Sequence, residues 1–199
     1  MKKQNNLLQW TTIALTLSGT LLLTVSCNPG TAQEQQQQNS SASQTKPKPP
    51  KVNIHTAVIT GNMESLKQHI AAGSNLNEKD PIGGSSPLIS ACLFGKTDMA
   101  KILINAGADI NFQNNDGATP LLTAAFFCRP EIVKILLAKG ANKTIKNKYG
   151  QIAYETVSAP FATVKSIYDG IGKILTPMGL KLDYAYIEKT RPLIAATLK

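Results

Sequence analysis

The chain has 199 residues, which is enough for one modest domain with processing segments but not for two large domains. It contains 21 basic residues, 12 acidic residues and 2 histidines. The spacing of the two histidines from serine, cysteine and acidic residues matches no catalytic or metal-binding motif. The sequence also has no phosphate-binding glycine loop. We therefore predict that the protein is not an enzyme and that it needs no metal or cofactor.

Residues 1–26 are organised like a secretory signal peptide. Lys2 and Lys3 precede an uncharged stretch, "TTIALTLSGTLLLTV", which is too short and too rich in serine and threonine to predict a membrane span. The following "LLTVSC" resembles the lipobox of bacterial lipoproteins, in which a small residue precedes a cysteine that is acylated and becomes the N-terminus. This resemblance implies lipidation at Cys27. Ordinary cleavage beside an incidental cysteine and an uncleaved anchor are the alternatives.

The segment after the signal peptide, residues 27–51, is predicted to be a tether. It is rich in glutamine, serine, proline and lysine and has no large apolar residue, so it cannot form a core. By resemblance to enterobacterial sorting rules, Asn28 directly after the cysteine favours the outer membrane. The expected location is therefore the bacterial cell envelope, with the chain facing the periplasm.

The charge of the processed chain limits its partners. Removal of Lys2 and Lys3 leaves 21 − 2 = 19 basic residues against 12 acidic residues, a net charge of about +7. Such a charge would suggest nucleic acid for a cytoplasmic protein, but an exported protein is not expected to bind nucleic acid. An acidic protein surface or an anionic lipid surface fits better. A solvated basic surface that only aids solubility is equally compatible with these numbers.

A period of 33 residues becomes visible after residue 52. The glycines that carry it are Gly84, Gly117 and Gly150 in one series and Gly107 and Gly140 in another. An earlier copy has Gly73 at 34 residues before Gly107, so one residue is inserted in the loop between them. Within each period, "SSPLISACLFG" is matched by "ATPLLTAAFFC", and "INAGADIN" by "LAKGANKT". These two signatures resemble the ankyrin repeat family, whose core reads T-P-L-H-x-A. The resemblance covers residues 52–158.

The resemblance implies an all-α fold, an ankyrin-repeat solenoid of paired antiparallel helices with hairpin-like loops. Three repeats and part of a fourth are readable, and stacking would join their apolar faces into one elongated core. Residues 159–199 depart from the pattern and are expected to form a C-terminal helical cap. Within them we predict one helix over 161–175, a second at "DYAYIEKT" and a third at "PLIAATL". The protein is expected to be a monomer.

Several residues suit the ends of the predicted helices. Pro87 and Pro120 fit the first helical turn, where no backbone N–H is needed. Gly117 is expected to supply a positive φ angle in the turn "NNDG", and Gly140 a left-handed helix end. Thr97 is a candidate N-cap for the helix in "TDMAKILINAG".

The cysteines and histidines are interpreted as structural. Cys92 aligns with Ala125 on the buried face of a first helix, whereas Cys128 replaces the glycine that ends the equivalent helix. These different heights disfavour a disulfide bond between them. The family resemblance implies that His55 holds a turn by hydrogen bonding, and His69 suits the dipole of a helix C-terminus.

One candidate partner-binding surface comes from the family pattern, in which the two positions before the glycine closing the first helix face a concave groove. Here these positions are mostly apolar, and we assign five of them to partner binding: Ile59, Leu93, Phe94, Phe126 and Phe127. Exposed aromatic rings often mark a binding site. Alternatively, the C-terminal helices fold back across the groove and cover Phe126 and Phe127.

The hairpin-like loops are the other usual contact points of the family. At their tips we assign Asp116, Lys148 and Tyr149 to the partner-binding surface. The nearby lysines make this edge basic: Lys139, Lys143, Lys146 and Lys148. A basic edge suits an acidic protein partner, although a solvated loop explains the same residues.

These features together predict a non-catalytic, protein-binding ankyrin lipoprotein of the bacterial envelope. Its architecture resembles that of lipoproteins that protect a bacterium by binding a toxic effector such as a phospholipase. One hypothesis is therefore an immunity or inhibitor protein. The alternative is a periplasmic scaffold or stress-adaptation partner that supports another envelope protein.

Overall fold

The computed structural model describes residues 46–199, which belong to one compact unit. The predictions for the signal peptide, for acylation of Cys27 and for most of the tether lie outside the described residues. Within residues 46–199 there are nine α-helices and one short 3-10 helix: α1 (Ile54–Thr60), α2 (Met63–Ala71), α3 (Pro87–Phe94), α4 (Thr97–Asn105), α5 (Pro120–Phe126), α6 (Pro130–Ala138), α7 (Ala153–Ser158), α8 (Phe161–Leu175), the 3-10 helix (Thr176–Met178) and α9 (Tyr184–Leu198).

The helices pair and stack as the sequence period predicts. Each of α1, α3 and α5 packs against the helix that follows it, and α1, α3, α5 and α7 stack in series as inner helices. Helices α4 and α6 pack side by side in the outer layer. The all-α solenoid is therefore confirmed, with three complete pairs of helices formed by residues 54–138.

The ends of the helices follow from local chemistry. Pro87 and Pro120 are the first residues of α3 and α5, and Ser86 and Thr119 accept hydrogen bonds there from the backbone N–H groups of the first turn. The prediction of Thr97 as an N-cap is wrong by one residue. Thr97 is the first residue of α4, because the two-residue connection from α3 leaves the cap position to the residue before it.

Small side chains allow the inner helices to approach one another closely. Ala57, Ala91 and Ala124 occupy equivalent positions in α1, α3 and α5, and all three are fully buried. Leu103 and Leu136 are equivalent residues of the outer helices α4 and α6 and are also fully buried. The core is therefore continuous along the stack, as expected for repeats that cannot bury their apolar faces alone.

The fourth repeat is split by an insertion. Helix α7 stacks on α5 as an inner helix, and its outer partner is α9, which also packs against α6. Residues 159–183, which include α8, are inserted between the two helices of this pair. The period alone would start the outer helix near residue 130 + 33 = 163, inside α8, so tertiary contacts override the sequence register here.

Helix α9 corrects a further prediction. The sequence suggested two helices separated at Pro192, but α9 is one helix that continues through this proline. A proline inside a helix removes one backbone hydrogen bond and normally bends or breaks the helix. Here Ile187 before the proline and Ile194 and Leu198 after it are buried in the core, so packing on both sides keeps the helix continuous.

Candidate functional site

The C-terminal ends of the inner helices form one wall of the candidate site. Ile59 near the end of α1 is half-buried, and so are Leu93 and Phe94 at the end of α3. These three predicted site residues therefore remain partly accessible. Ile59 and Leu93 are equivalent residues of α1 and α3, which stack on each other, and Phe94 follows Leu93 at the end of α3.

The third repeat differs, because α8 covers its two phenylalanines. The ring of Tyr168 stacks on Phe126 with a centroid distance of 4.5 Å and an interplanar angle of 13°. Phe127 meets the Phe126 ring edge to face at 5.1 Å and is only 6% exposed. Phe126 is half-buried with Tyr168 stacked on its ring, and Phe127 is buried, so the prediction that both rings face an open groove is wrong. The structure has the alternative arrangement, in which the C-terminal helices cover the rings. This arrangement is favoured because removing aromatic surface from water lowers the free energy of the folded chain.

A buried polar network holds α8 in this position. The Tyr168 hydroxyl donates to the backbone carbonyl of Phe126, and Arg191 Nη1 in α9 donates to the same hydroxyl oxygen at 3.0 Å. Arg191 Nη2 donates to the carbonyl of Ala159 at 2.9 Å. Arg191 is 2% exposed and forms no ion pair with a carboxylate of the described residues. Burial raises the pKa of Tyr168 to about 12, although the Arg191 charge opposes this shift.

Sequence reasoning did not identify the roles of Tyr168, Arg191 and Arg129. Arg129 reaches back to the second repeat, where Nη2 donates to the Leu93 carbonyl at 3.1 Å and the side chain lies over Gly95. The available signal was weak: Arg191 is the one charged residue in the largely apolar stretch "RPLIAATL". A buried charge normally requires a partner, and the one found here lies 23 residues away in sequence.

Cys128 adopts the backbone conformation of the glycine that it replaces. Its φ angle is 55°, and it is the only residue other than glycine with a positive φ among residues 46–199. The side chain is fully buried, and Sγ lies 3.6 Å from the Ile187 carbonyl oxygen of α9. Burial raises the pKa of this thiol to about 11, while the charges of Arg191 and Arg129 oppose the shift.

Cys92 is buried in α3, as predicted, and burial raises its thiol pKa. Both Cys92 and Cys128 are free thiols.

At pH 8, we expect neither Cys92 nor Cys128 to react with a thiol reagent in the native protein, and both to react at once in the unfolded chain. Leu193→Cys, on the exposed side of α9, is the control that should react immediately. Rapid labelling of Cys128 in the folded protein would contradict its burial under α9.

The hairpin-like tips provide the most exposed candidate residues. Asp116, Lys148 and Tyr149 are all exposed, and Tyr149 has 76% of its surface accessible. The Lys148 N–H donates to the Asp116 carbonyl at 2.9 Å, which joins the tips of two successive repeats. Ile82 at an earlier tip is exposed as well. The structure thus places these predicted site residues together along one edge.

The backbone of the earlier tip is held by one aspartate. Asp80 accepts hydrogen bonds from the N–H groups of Ile82, Gly83 and Ser85. Partial burial would raise the pKa of Asp80, but these hydrogen bonds and the nearby His55 lower it below its usual value. The carboxylate therefore stays ionised and keeps the tip rigid, so Ile82 is presented on a fixed loop.

The basic edge is only partly available for binding. Lys139, Lys146 and Lys148 are exposed, whereas Lys143 Nζ donates to the backbone carbonyls of Leu198 and Lys199. Lys143 therefore ties the third outer loop to the end of α9. This role was not expected from the sequence, because it depends on a contact across 55 residues.

Both histidines have structural partners. His55 Nε2 lies 3.1 Å from the Glu78 carbonyl, in agreement with its expected role in holding a turn. His69 contacts the Val52 carbonyl through Nε2 at 2.7 Å and the Ser74 hydroxyl through Nδ1 at 3.0 Å. Within residues 46–199, no three side chains of histidine, cysteine, aspartate or glutamate cluster as metal ligands would.

Comparison with known proteins agrees with this geometry. The family model "Ankyrin repeats" matches residues 54–147 in three copies. Residues 54–147 are ankyrin repeats. The crystal structure of the ankyrin repeat domain of Bcl-3 aligns with a TM-score of 0.50 at 27% identity, covering 52% of this chain and 45% of that one. Ankyrin repeats mediate binding to protein partners, and this is the general role of the segment.

Curated proteins are similar to short stretches of this chain. Human protein phosphatase 1 regulatory subunit 27 is 39% identical over 64 residues, which is 32% of this chain and 41% of that protein. The human DNA-binding protein RFXANK is 36% identical over 58 residues, 29% of this chain and 22% of that protein. The chain thus spans about two fifths or less of these relatives. None of the helices formed by residues 46–199 has the length and apolarity needed to cross a bilayer.

Proposed function

We propose that the protein is a non-catalytic, stoichiometric binder of another protein in the bacterial cell envelope, attached to the membrane through Cys27. The observation that supports binding is the apolar edge of the ankyrin repeats. Tyr149 and Ile82 are exposed at rigid tips, and Leu93 and Phe94 remain accessible on the inner helices. Exposed aromatic and aliphatic side chains on a rigid scaffold are typical of interface hot spots.

The proposed partner is a toxic effector with an acidic surface, such as a phospholipase, which the protein neutralises. The positive charge near the tip supports an acidic partner, since the exposed Lys146 and Lys148 closely precede Tyr149. An inhibitor needs a surface that blocks its target, and it needs no catalytic group of its own. The candidate site consequently consists of the tips and the open inner-helix positions. Phe126 and Phe127 are covered by α8 and stabilise the fold that carries this site.

The test is affinity capture from envelope extracts with the tagged full chain, together with the variant Ile82→Ser, Tyr149→Ser. Both side chains are exposed, so the variant should fold normally while its affinity for the partner falls by at least about thirtyfold, the loss expected for a hot spot of 2 kcal/mol. Leu193→Ser, at an exposed residue of α9 that belongs to none of the tips, is the matched control and should retain the partner. If no toxin is captured and deletion of the gene causes no sensitivity to one, the inhibitor proposal is wrong.

A periplasmic scaffold that supports another envelope protein would use the same surface. The same experiment separates the two roles. An inhibitor abolishes the activity of the captured protein, whereas a scaffold leaves that activity unchanged or raises it.

A further inference from the structure

The insertion in the fourth repeat leaves an apolar surface uncovered. On its inward side, α8 packs against the stack through Phe161, Val164 and Tyr168. Ile167 and Ile174, seven residues apart on another side of α8, are 51% and 70% exposed. Met178 in the 3-10 helix that directly follows α8 is exposed too. We call the surface formed by Ile167, Ile174 and Met178 the α8 ridge.

Folding of the chain does not account for the α8 ridge. The apolar arc of α8 is wider than the part that the ankyrin stack covers, whereas a helix designed for water on its outer side would be polar there. Each large aliphatic side chain left in water forgoes the favourable free energy that its burial would provide. Gly170, which follows Ile167 by three residues and precedes Ile174 by four, adds no bulk beside them, since an added Cβ would meet no atom within 4 Å. The ridge is therefore open to a flat or convex surface.

The size of the α8 ridge restricts its occupant. A stable interface with a soluble protein or a second copy of the chain uses about 20–30 residues on each side. The ridge offers three, which is too few to hold a freely diffusing partner. A contact of this size gives stable binding only to a surface to which the chain is already tethered, because tethering raises the local concentration of the ridge at that surface.

Such a surface is available at the other end of the chain. The 25 residues of the segment 27–51 span at most about 80–90 Å when fully extended, so an anchor at Cys27 keeps the domain within reach of the membrane. Charge favours anionic lipid. Lys165 pairs with Asp169 at 3.0 Å, but Lys173 and Lys181 are exposed and pair with no carboxylate of the described residues. Apolar residues with nearby lysines are characteristic of helices that lie in the membrane interface.

We propose that the α8 ridge docks on the anionic surface of the membrane to which the chain is anchored. This proposal rests on the proposed anchoring but not on the identity of the protein partner. The α8 ridge contains neither Ile82 nor Tyr149, so the proposed docking uses different residues from the proposed partner site. It would fix the orientation of the ankyrin repeats relative to the bilayer, which a flexible tether alone does not do.

The experiment uses the chain with Cys27→Ser and a fluorophore on Gly170→Cys, where the added side chain has space. A histidine tag at the N-terminus binds nickel-chelating lipid in every vesicle, so the tether still holds the domain near the membrane. The buried Cys92 and Cys128 should not take up the label. Vesicles of phosphatidylglycerol and phosphatidylcholine carry a quencher in the headgroup region, and vesicles of phosphatidylcholine alone are the comparison. We expect strong quenching at position 170 in the anionic vesicles, less in the neutral ones, and less again at high salt.

Two control variants make the result specific. A label on Leu193→Cys in α9 should remain unquenched, and Ile167→Ser, Ile174→Ser should reduce quenching at position 170 to the level of this control. Equal quenching at both positions, no quenching at position 170 or no effect of the serine substitutions would overturn the proposal. The proposal would also be overturned if the protein formed a dimer in solution without vesicles and the serine substitutions dissociated that dimer. Capture of a protein partner would be unaffected by any of these outcomes, so the two proposals fail separately.

Discussion

Replacement of Phe127 by alanine is expected to lower the free energy of unfolding by about 3–5 kcal/mol, the usual cost of removing a buried phenylalanine ring. The ring is buried between Phe126 and α8, and its loss would leave a cavity in the aromatic cluster. For a chain of this size the midpoint of thermal unfolding should fall by about 6–20 °C. Thermal and denaturant unfolding followed by circular dichroism measure both quantities.

The matched control is Phe94→Ala. Phe94 occupies the equivalent position one repeat earlier, 127 − 33 = 94, but it is only half-buried and α8 does not cover it. We therefore expect a clearly smaller loss of stability than for Phe127→Ala. Equal, small effects of both substitutions would show that α8 does not cover the third repeat and that the rings are exposed as the family pattern suggests.

The second large effect is expected for Tyr168→Phe, which keeps the stacked ring but removes the hydroxyl group. The Arg191 guanidinium would lose its acceptor, and the Phe126 carbonyl would lose its donor. Hydrogen bonds to charged groups contribute about 1.5–3 kcal/mol, so a loss of this size is expected in the free energy of unfolding. Tyr184→Phe is the control, because its hydroxyl bonds the more exposed Asp169 and its removal should cost less.

The same substitution should change how stability depends on pH. The pKa of Tyr168 is about 12 in the folded protein against 10.0 for the ordinary group. Since the folded value is the higher one, this contribution to stability is present below pH 10 and is lost as the pH rises towards 12. Tyr168→Phe should therefore flatten the alkaline decline in the free energy of unfolding. An unchanged decline would contradict the burial of this hydroxyl group.

Local features of the fold could be read from the sequence because they depend on neighbouring residues. Pro87 and Pro120 start helices wherever the preceding residue can cap the first turn. Gly117 and Gly140 have positive φ angles because the turn and the helix end require them. The helix over residues 161–175 was likewise predictable from its apolar periodicity, although its position in the fold was not.

The candidate site was predictable only in part. The tips carrying Asp116, Lys148 and Tyr149 are exposed because each loop is a local structure that projects from its own repeat. Whether Phe126 and Phe127 are exposed depends instead on a tyrosine 42 residues away from Phe126. No periodicity within the repeats contains that information.

The sequence by itself determined the period, the pairing of helices within each repeat and the positions where the chain turns. Only the tertiary structure decided that α9 completes the fourth repeat, that α8 covers the third, and that Arg191 joins them. The physical reason is that several helices of the C-terminal segment have apolar faces that could pack against the stack. The choice among them depends on which packing buries Phe127 and Tyr168 while giving the Arg191 guanidinium acceptors for its Nη1 and Nη2 donors.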